Sequence, residues 1–240
     1  NTSLIYSNYD YNIEIQNNAD PFSILSQVQD FNFKQEFQYH SNNKNRWRFG
    51  LNAILHTNNP GEIKSDSGIE DQAEIRNGIE TALYASNDWK VNNKLKINYG
   101  LRLSNFAALG GSDYYKLDDN LEVTDTISEN GIVINYVNLE PRVSLNYKLN
   151  NTSSVKLAYT RNTQNLHLVS NSVTTSPSDK WIMSNNIIKP EIGNQFTLGY
   201  VKNFNNNMFE FSAETYYKLM QNQIDYKDAA NERDPIIETQ

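Results

Sequence analysis

The amino-acid sequence predicts an all-β chain: a partial transmembrane, antiparallel, up-and-down β-barrel, with about nine strands of a larger barrel in one barrel domain over residues 1–240. Three observations carry that expectation. Apolar and polar residues alternate with a period of two over long stretches, and short Asn-rich turns alternate with long polar links. The composition is also aromatic yet polar, with 15 Tyr, 10 Phe and 37 Asn but only 38% hydrophobic residues. Such a chain is too aromatic for disorder and too polar to cross a membrane as helices. No apolar run approaches the ~18 to 20 residues of a spanning helix, whereas a barrel strand needs only one apolar side.

The opening strand is read over residues 4–15. Residues 31–39 and 47–55 follow as a hairpin around Ser41-Asn42-Asn43-Lys44-Asn45, and residues 79–89 pair with the strand after Lys94 around Asn92-Asn93. That strand is the clearest: Leu95, Ile97, Tyr99, Leu101 and Leu103 alternate with Lys96, Asn98, Gly100, Arg102 and Ser104, which gives one apolar and one polar face. Val143, Leu145, Tyr147 and Leu149 repeat the pattern, as do Val155, Leu157 and Tyr159 across the turn Asn150-Asn151-Thr152-Ser153. Residues 196–204 and 209–217 make the last hairpin around Asn205-Asn206-Asn207.

Long polar links over residues 16–30, 57–77, 107–137 and 164–193 separate these hairpins. Compact soluble domains connect their elements with about 4 to 6 residues, so four structureless links of this length point to a barrel with short turns at one end and long loops at the other. A Lys or Arg at the lipid midplane costs ~2 to 4 kcal/mol, which assigns Lys96, Arg102, Arg142, Lys156 and Glu210 to the lumen. Phe209, Phe211, Ala213 and Tyr217 then face lipid beside Thr215, with Ser212, Glu214 and Lys218 inward. Trp89, Tyr99, Tyr147 and Tyr159 are candidates for the aromatic girdles at the headgroup levels.

Several stretches resemble recurrent elements of TonB-dependent receptor barrels. Glu80-Thr81-Ala82-Leu83-Tyr84 through Asp88-Trp89, paired with Gly100-Leu101-Arg102, is similar to one of the family's hairpins. Another is matched by Pro141-Arg142-Val143-Ser144-Leu145-Asn146-Tyr147 with residues 155–161. Residues 188–200, containing Lys189-Pro190-Glu191, and residues 214–226, containing Tyr216-Tyr217 and Ile224, are similar to later elements, especially in receptors of the Bacteroidetes type.

This resemblance implies a Gram-negative outer-membrane location and a nutrient or cofactor ligand taken up by active transport, with no enzyme. It also implies a barrel of roughly 22 strands filled by a plug. The plug, the remaining strands and the TonB-binding segment are absent from these residues, so a piece of a longer polypeptide is expected. The implied partners are outer-membrane lipid, the TonB energy-transducing complex acting through the absent segments, and a surface lipoprotein or larger envelope complex. The alternatives are a barrel serving as a structural or assembly subunit without cargo and, more distantly, a soluble β-sandwich adhesin or glycan-binding module.

A net charge of −7 argues against nucleic acid as a partner. The chain has no cysteine, and His40, His56 and His167 each lack a ligand partner at metal-site spacing. Carboxylate pairs at Asp118-Asp119, Glu70-Asp71 and Glu62 with Asp66 read as solvated loop charge more readily than as calcium ligands. No catalytic, cofactor or metal residue is therefore assigned. For ligand contact, the candidates are Trp181 and His167 in the last long link, because an exposed aromatic stacks on a sugar or an apolar ligand face.

Overall fold

The computed structural model describes residues 1–15, 22–65, 68–118, 122–169, 179–206 and 208–225, which form strands, turns and connections without a helix. The strands are β1 (Thr2–Ile15), β2 (Phe22–Asn42), β3 (Asn45–Ser65), β4 (Gly68–Gln72), β5 (Arg76–Lys90), β6 (Leu95–Leu109), β7 (Tyr114–Leu117), β8 (Val123–Ile127), β9 (Ile132–Lys148), β10 (Ser153–Gln164), β11 (Leu166–Val169), β12 (Lys180–Met183), β13 (Glu191–Phe204) and β14 (Phe209–Gln221). One large sheet runs β1-β2-β3-β5-β6-β9-β10-β13-β14, with β4 folded back on β3. Every pairing is antiparallel, so the large sheet is an up-and-down meander. Two separate hairpins, β7–β8 and β11–β12, sit in its long connections.

Register follows from the alternation. Ile97, Leu145, Leu157 and Leu198 are successive cross-strand partners in one apolar row, while Lys96, Asn146, Lys156 and Gly199 form the adjacent polar row. A slip of one residue would exchange the two faces. The apolar face lies open, with Leu83 62%, Leu157 48% and Leu198 48% exposed. Among the described residues no second sheet covers it, since the other two sheets have two strands each. A β-sandwich would bury this face, so the face is the bilayer contact of a barrel wall. Trp89, Tyr99 and Tyr147 are exposed on it, and Trp47 meets Tyr99 edge to face at 6.1 Å.

The Asn-rich turns owe their tightness to side-chain acceptors. Asn92 Oδ1 accepts from the amides of Lys94 (2.8 Å) and Leu95 (2.9 Å), and Asn150 Oδ1 accepts from the amide of Thr152 at 2.9 Å. At the last hairpin Asn205 and Asn206 take positive φ values of 47° and 56°, the left-handed region that Asn tolerates better than most residues. Asn207 lies outside the described residues.

The long links correct the sequence expectation of structureless connections. Residues 22–30 belong to β2 and 56–65 to β3, so these two strands reach 21 residues each. The β7–β8 hairpin occupies part of 107–137, and β11–β12 occupies part of 164–193. Beyond the membrane band both strand faces meet water or protein. Backbone pairing then persists without the apolar/polar alternation that reveals a strand in sequence. Pro141 has no N–H to donate, and the β9–β10 ladder stops at Arg142↔Thr160, one residue short of it. The small buried core lies at the long-link end, where Phe106, Ala108, Tyr114 and Met183 pack together.

Candidate functional site

The polar face is built from alternate residues of every long strand. Registers place Lys96, Arg102, Arg142 and Lys156 on it together, since Lys96 and Lys156 share a row through Asn146, Arg142 pairs with Gly100, and Arg102 pairs with Glu140. Glu214 pairs with Gly199 beside Lys156, and Glu210 falls on the same side of β14. Lys34, Glu36, Arg48, Tyr84, Arg102 and Arg142 surround a pocket of about 500 Å³ on this face. Four of those six side chains are cations, so this stretch of wall is basic although the chain is acidic overall.

Arg102 organises the wall above that pocket. Its Nη2 lies 3.1 Å from Glu80 Oε1 and its Nε 3.8 Å from Glu140 Oε1. Ser104 Oγ and Thr163 Oγ1 donate to Glu140 at 2.6 Å and 2.9 Å, and Asn165 Nδ2 donates to Glu80 at 2.9 Å. Two half-buried to buried carboxylates thus share one guanidinium and a ring of neutral donors, which keeps their charge compensated in a shielded place. Closer to the short turns, Arg46 and Arg48 converge on Asp88.

The last long link folds inward over this wall. Its β11–β12 hairpin is held by lumen-facing side chains of distant strands. Asn58 Nδ2 donates to the Trp181 carbonyl at 2.7 Å, Tyr11 Oη to the Asp179 carbonyl at 2.9 Å, and Tyr136 Oη to the Asn185 carbonyl at 2.8 Å. Asn186 Nδ2 reaches the Tyr115 carbonyl at 2.7 Å, tying β7 to the same assembly. Asn185 Oδ1 accepts from the amides of Ile187 and Ile188, fixing the turn after β12. The hairpin therefore bridges the sheet from β1 to β9 across the mouth.

The two sequence candidates stand on opposite faces of that hairpin. Leu168↔Trp181 and His167↔Ile182 are adjacent cross-strand pairs, so their side chains alternate. Leu168 is exposed and Trp181 half-buried. His167 is buried with Ile182, and its Nε2 lies 2.9 Å from Ser184 Oγ. Burial holds the imidazole pKa down to about 4, because a protonated ring would lose hydration without gaining a counter-charge.

Glu80, Glu140, Asn58 and Tyr136 carry no local motif; alternation along their strands marks Glu80 and Glu140 as lumen-facing, whereas Asn58 and Tyr136 fall in the links read over 57–77 and 107–137, where no such signal exists. His56 is likewise not solitary: its Nδ1 lies 2.7 Å from Asp30 Oδ1 on the neighbouring strand, a partner that linear spacing does not reveal. Among the described residues no group of three or more His, Cys, Asp or Glu forms a metal cage. Asp118 Oδ1 accepts from the Glu122 amide at 2.9 Å, while Asp66 and Asp119 lie outside the described residues.

A family profile described as "TonB dependent receptor-like, beta-barrel" matches residues 1–236. No curated protein matches the sequence. Among solved structures, the copper transporter OprC is similar with a TM-score of 0.64 and 12% identity, over 92% of this chain and 36% of that one. The ferric yersiniabactin uptake receptor FyuA from Yersinia pestis gives 0.56 and 13%, over 92% and 33%. The alcaligin outer-membrane receptor FauA from Bordetella pertussis gives 0.54 and 14%, over 91% and 33%. At these identities the likeness is one of fold. The chain spans about a third of the length of each of these structures.

Proposed function

Because the chain belongs to the TonB dependent receptor-like β-barrel family, we propose that it is part of the barrel wall of an outer-membrane active-transport receptor. In the intact protein the long-link end captures a scarce nutrient, and energy arrives from the TonB complex through segments beyond these residues. The observation that carries this reading is the β11–β12 hairpin bound across the mouth by Tyr11, Asn58 and Tyr136. A wall whose outer connection is ordered over its own lumen suits selective capture better than passive support. Structural neighbours named for ferric siderophore and copper uptake make a metal or metal chelate the first cargo class to test.

Within this reading Trp181 supplies an aromatic contact to the ligand, and His167, sealed against Ser184, holds the hairpin that presents it. The resemblance to Bacteroidetes-type receptors adds a larger parent polypeptide and a surface lipoprotein as candidate partner, with outer-membrane lipid around the apolar face. The test is uptake of ferric chelates and copper by cells carrying the intact protein. Accumulation should require both the protein and a working TonB complex. Trp181→Ala should reduce it without lowering the amount of protein at the surface. Unchanged uptake in cells lacking the protein, together with a disrupted envelope, would favour the structural-subunit alternative.

A further inference from the structure

Four neighbouring strands each carry a lysine at the short-turn end. Lys44 immediately precedes β3, Lys90 closes β5, Lys94 immediately precedes β6 and Lys148 closes β9. These strands are adjacent in the order β3-β5-β6-β9. Backbone hydrogen bonds hold the lysines in two level pairs: the amide of Lys90 donates to the Lys44 carbonyl at 2.7 Å, and that of Lys148 to the Lys94 carbonyl at 2.8 Å. One step inside this rim, Lys96 is the direct cross-strand partner of Lys90. In a chain of net charge −7, cations are thus concentrated along one edge.

The wall itself does not compensate this charge. Asp88 is the one carboxylate within four positions of these strand ends, and it is already held by Arg46, Arg48 and Asn98. Among the described residues the ammonium groups of Lys44, Lys90, Lys94, Lys96 and Lys148 have no ion pair. Like charges placed directly opposite on paired strands destabilise a sheet, so the Lys90–Lys96 pair costs stability that no neighbouring carboxylate offsets. The same lysines open onto a hollow of about 560 Å³, lined in part by His40, Lys44, Arg46, Lys90 and Lys96.

We propose that this rim is a docking surface for an acidic, extended peptide segment of a periplasmic partner. The proposal rests on the outer-membrane barrel reading above, which puts the short turns in the periplasm. Registers place Lys90, Lys96 and Lys148 on the same sheet face as Arg102 and Arg142, away from lipid, so they meet carboxylates arriving from water rather than lipid headgroups. The four strands span three gaps of about 4.8 Å, a row of roughly 14 Å, which is the reach of about five residues of an extended chain. Carboxylates on alternate residues of such a chain all point to one side. Exposed Asn43, Asn93 and Asn151 stand beside the lysines in the turns and offer amides to its backbone.

The test is fluorescence anisotropy with the intact protein in detergent, titrated into a dye-labelled peptide of about eight residues that alternates Glu with Ser. The wild type should bind it, more weakly as salt is raised, and should not bind the counterpart with Gln in place of Glu. Lys90→Gln, Lys94→Gln and Lys148→Gln combined should weaken binding about tenfold, as the loss of several exposed ion pairs implies. Lys202→Gln should leave it unchanged, because Lys202 stands at the short-turn end but on the lipid side, its ammonium 4.9 Å from the Phe204 ring centroid. Equal binding by the triple variant and wild type, or of the Gln peptide, would overturn the site. Tighter binding of soluble peptidoglycan fragments would overturn the peptide assignment in favour of a cell-wall polymer. On cells the peptide should bind only once the outer membrane is permeabilised, and binding to intact cells would overturn the periplasmic placement. Heat-modifiable gel mobility of each variant separates these outcomes from failure of the barrel reading, in which no such mobility would be seen.

Discussion

The phenol ring of Tyr84 lies directly over Gly50, so close that a Cβ on residue 50 would overlap the ring Cζ and Oη. Glu36, Gly50 and Tyr84 are successive partners in one row across three strands. Without a side chain at Gly50, the ring can cross the middle strand and donate to Glu36 Oε2 at 3.0 Å. Gly50→Ala must displace the ring and break that bond. A loss of about 1 to 3 kcal/mol is expected for such overpacking, read as a lower urea midpoint for unfolding from lipid vesicles. Gly199→Ala is the control. Its nearest contact would be the movable Glu214 Oε2 at 3.5 Å, and its midpoint should match the wild type.

The two faces of β6 should respond oppositely to charge. Leu101 is 45% exposed on the apolar face, so Leu101→Arg sets a guanidinium against hydrocarbon at a cost of ~2 to 4 kcal/mol near the midplane. Lys96 stands on the polar face beside Asn146, and Lys96→Ala should assemble at the wild-type level. Membrane fractionation of both variants checks this pair, and the prediction fails if Lys96→Ala is the one that does not insert.

How much of this was legible in the sequence depended on whether a strand had two chemically different sides. β6 announced itself because Leu95 to Leu103 alternate with Lys96 to Ser104, and the apolar face needs lipid while the other does not. The outer half of β3 did not: Asn58, Asn59, Pro60 and Gly61 fall in the polar link read over residues 57–77, yet they continue the strand into its bulged pairing with β2 and β4. The four-residue strands β11 and β12 are too short to display any period. Of the site, the sequence exposed Trp181 and His167 as residue types. The ties that place them come from Asn58, 123 residues distant from Trp181 in the chain, and from Tyr11, 168 residues from Asp179, which no local pattern encodes.

Arg102 is the shared counter-charge of Glu80 and Glu140, and Glu140 is the more deeply buried, with its side chain 7% exposed. Arg102→Met keeps the bulk and removes the charge, leaving two carboxylates facing each other across β6. Removing one partner of a shielded ion pair costs about 3 to 5 kcal/mol when burial is complete, and less at the 23% exposure of Arg102. The loss should therefore fall near 2 to 3 kcal/mol. Adding Glu140→Gln to Arg102→Met should recover part of it, because one orphaned charge is gone. A further drop in the double variant's unfolding midpoint would show that Glu140 acts through its hydrogen bonds from Ser104 and Thr163 alone.

The mouth hairpin should loosen in acid through His167. Its folded-state pKa of about 4 lies below the 6.5 of an unhindered imidazole, so above pH 6.5 the ring is neutral whether the hairpin is docked or open. As pH falls from 6.5 toward 4, the open form gains a proton that the docked form refuses. Docking stability is then lost progressively, by up to about 3 kcal/mol at pH 4 and below. Hydrogen exchange of peptides covering residues 165–169 and 179–186, corrected for the intrinsic rate at each pH, should show protection falling across that window. His167→Gln has no proton to gain and retains one donor for Ser184, so its protection should be flat over the same range. A wild-type profile as flat as that of the variant would mean that the imidazole stays neutral in the open hairpin as well.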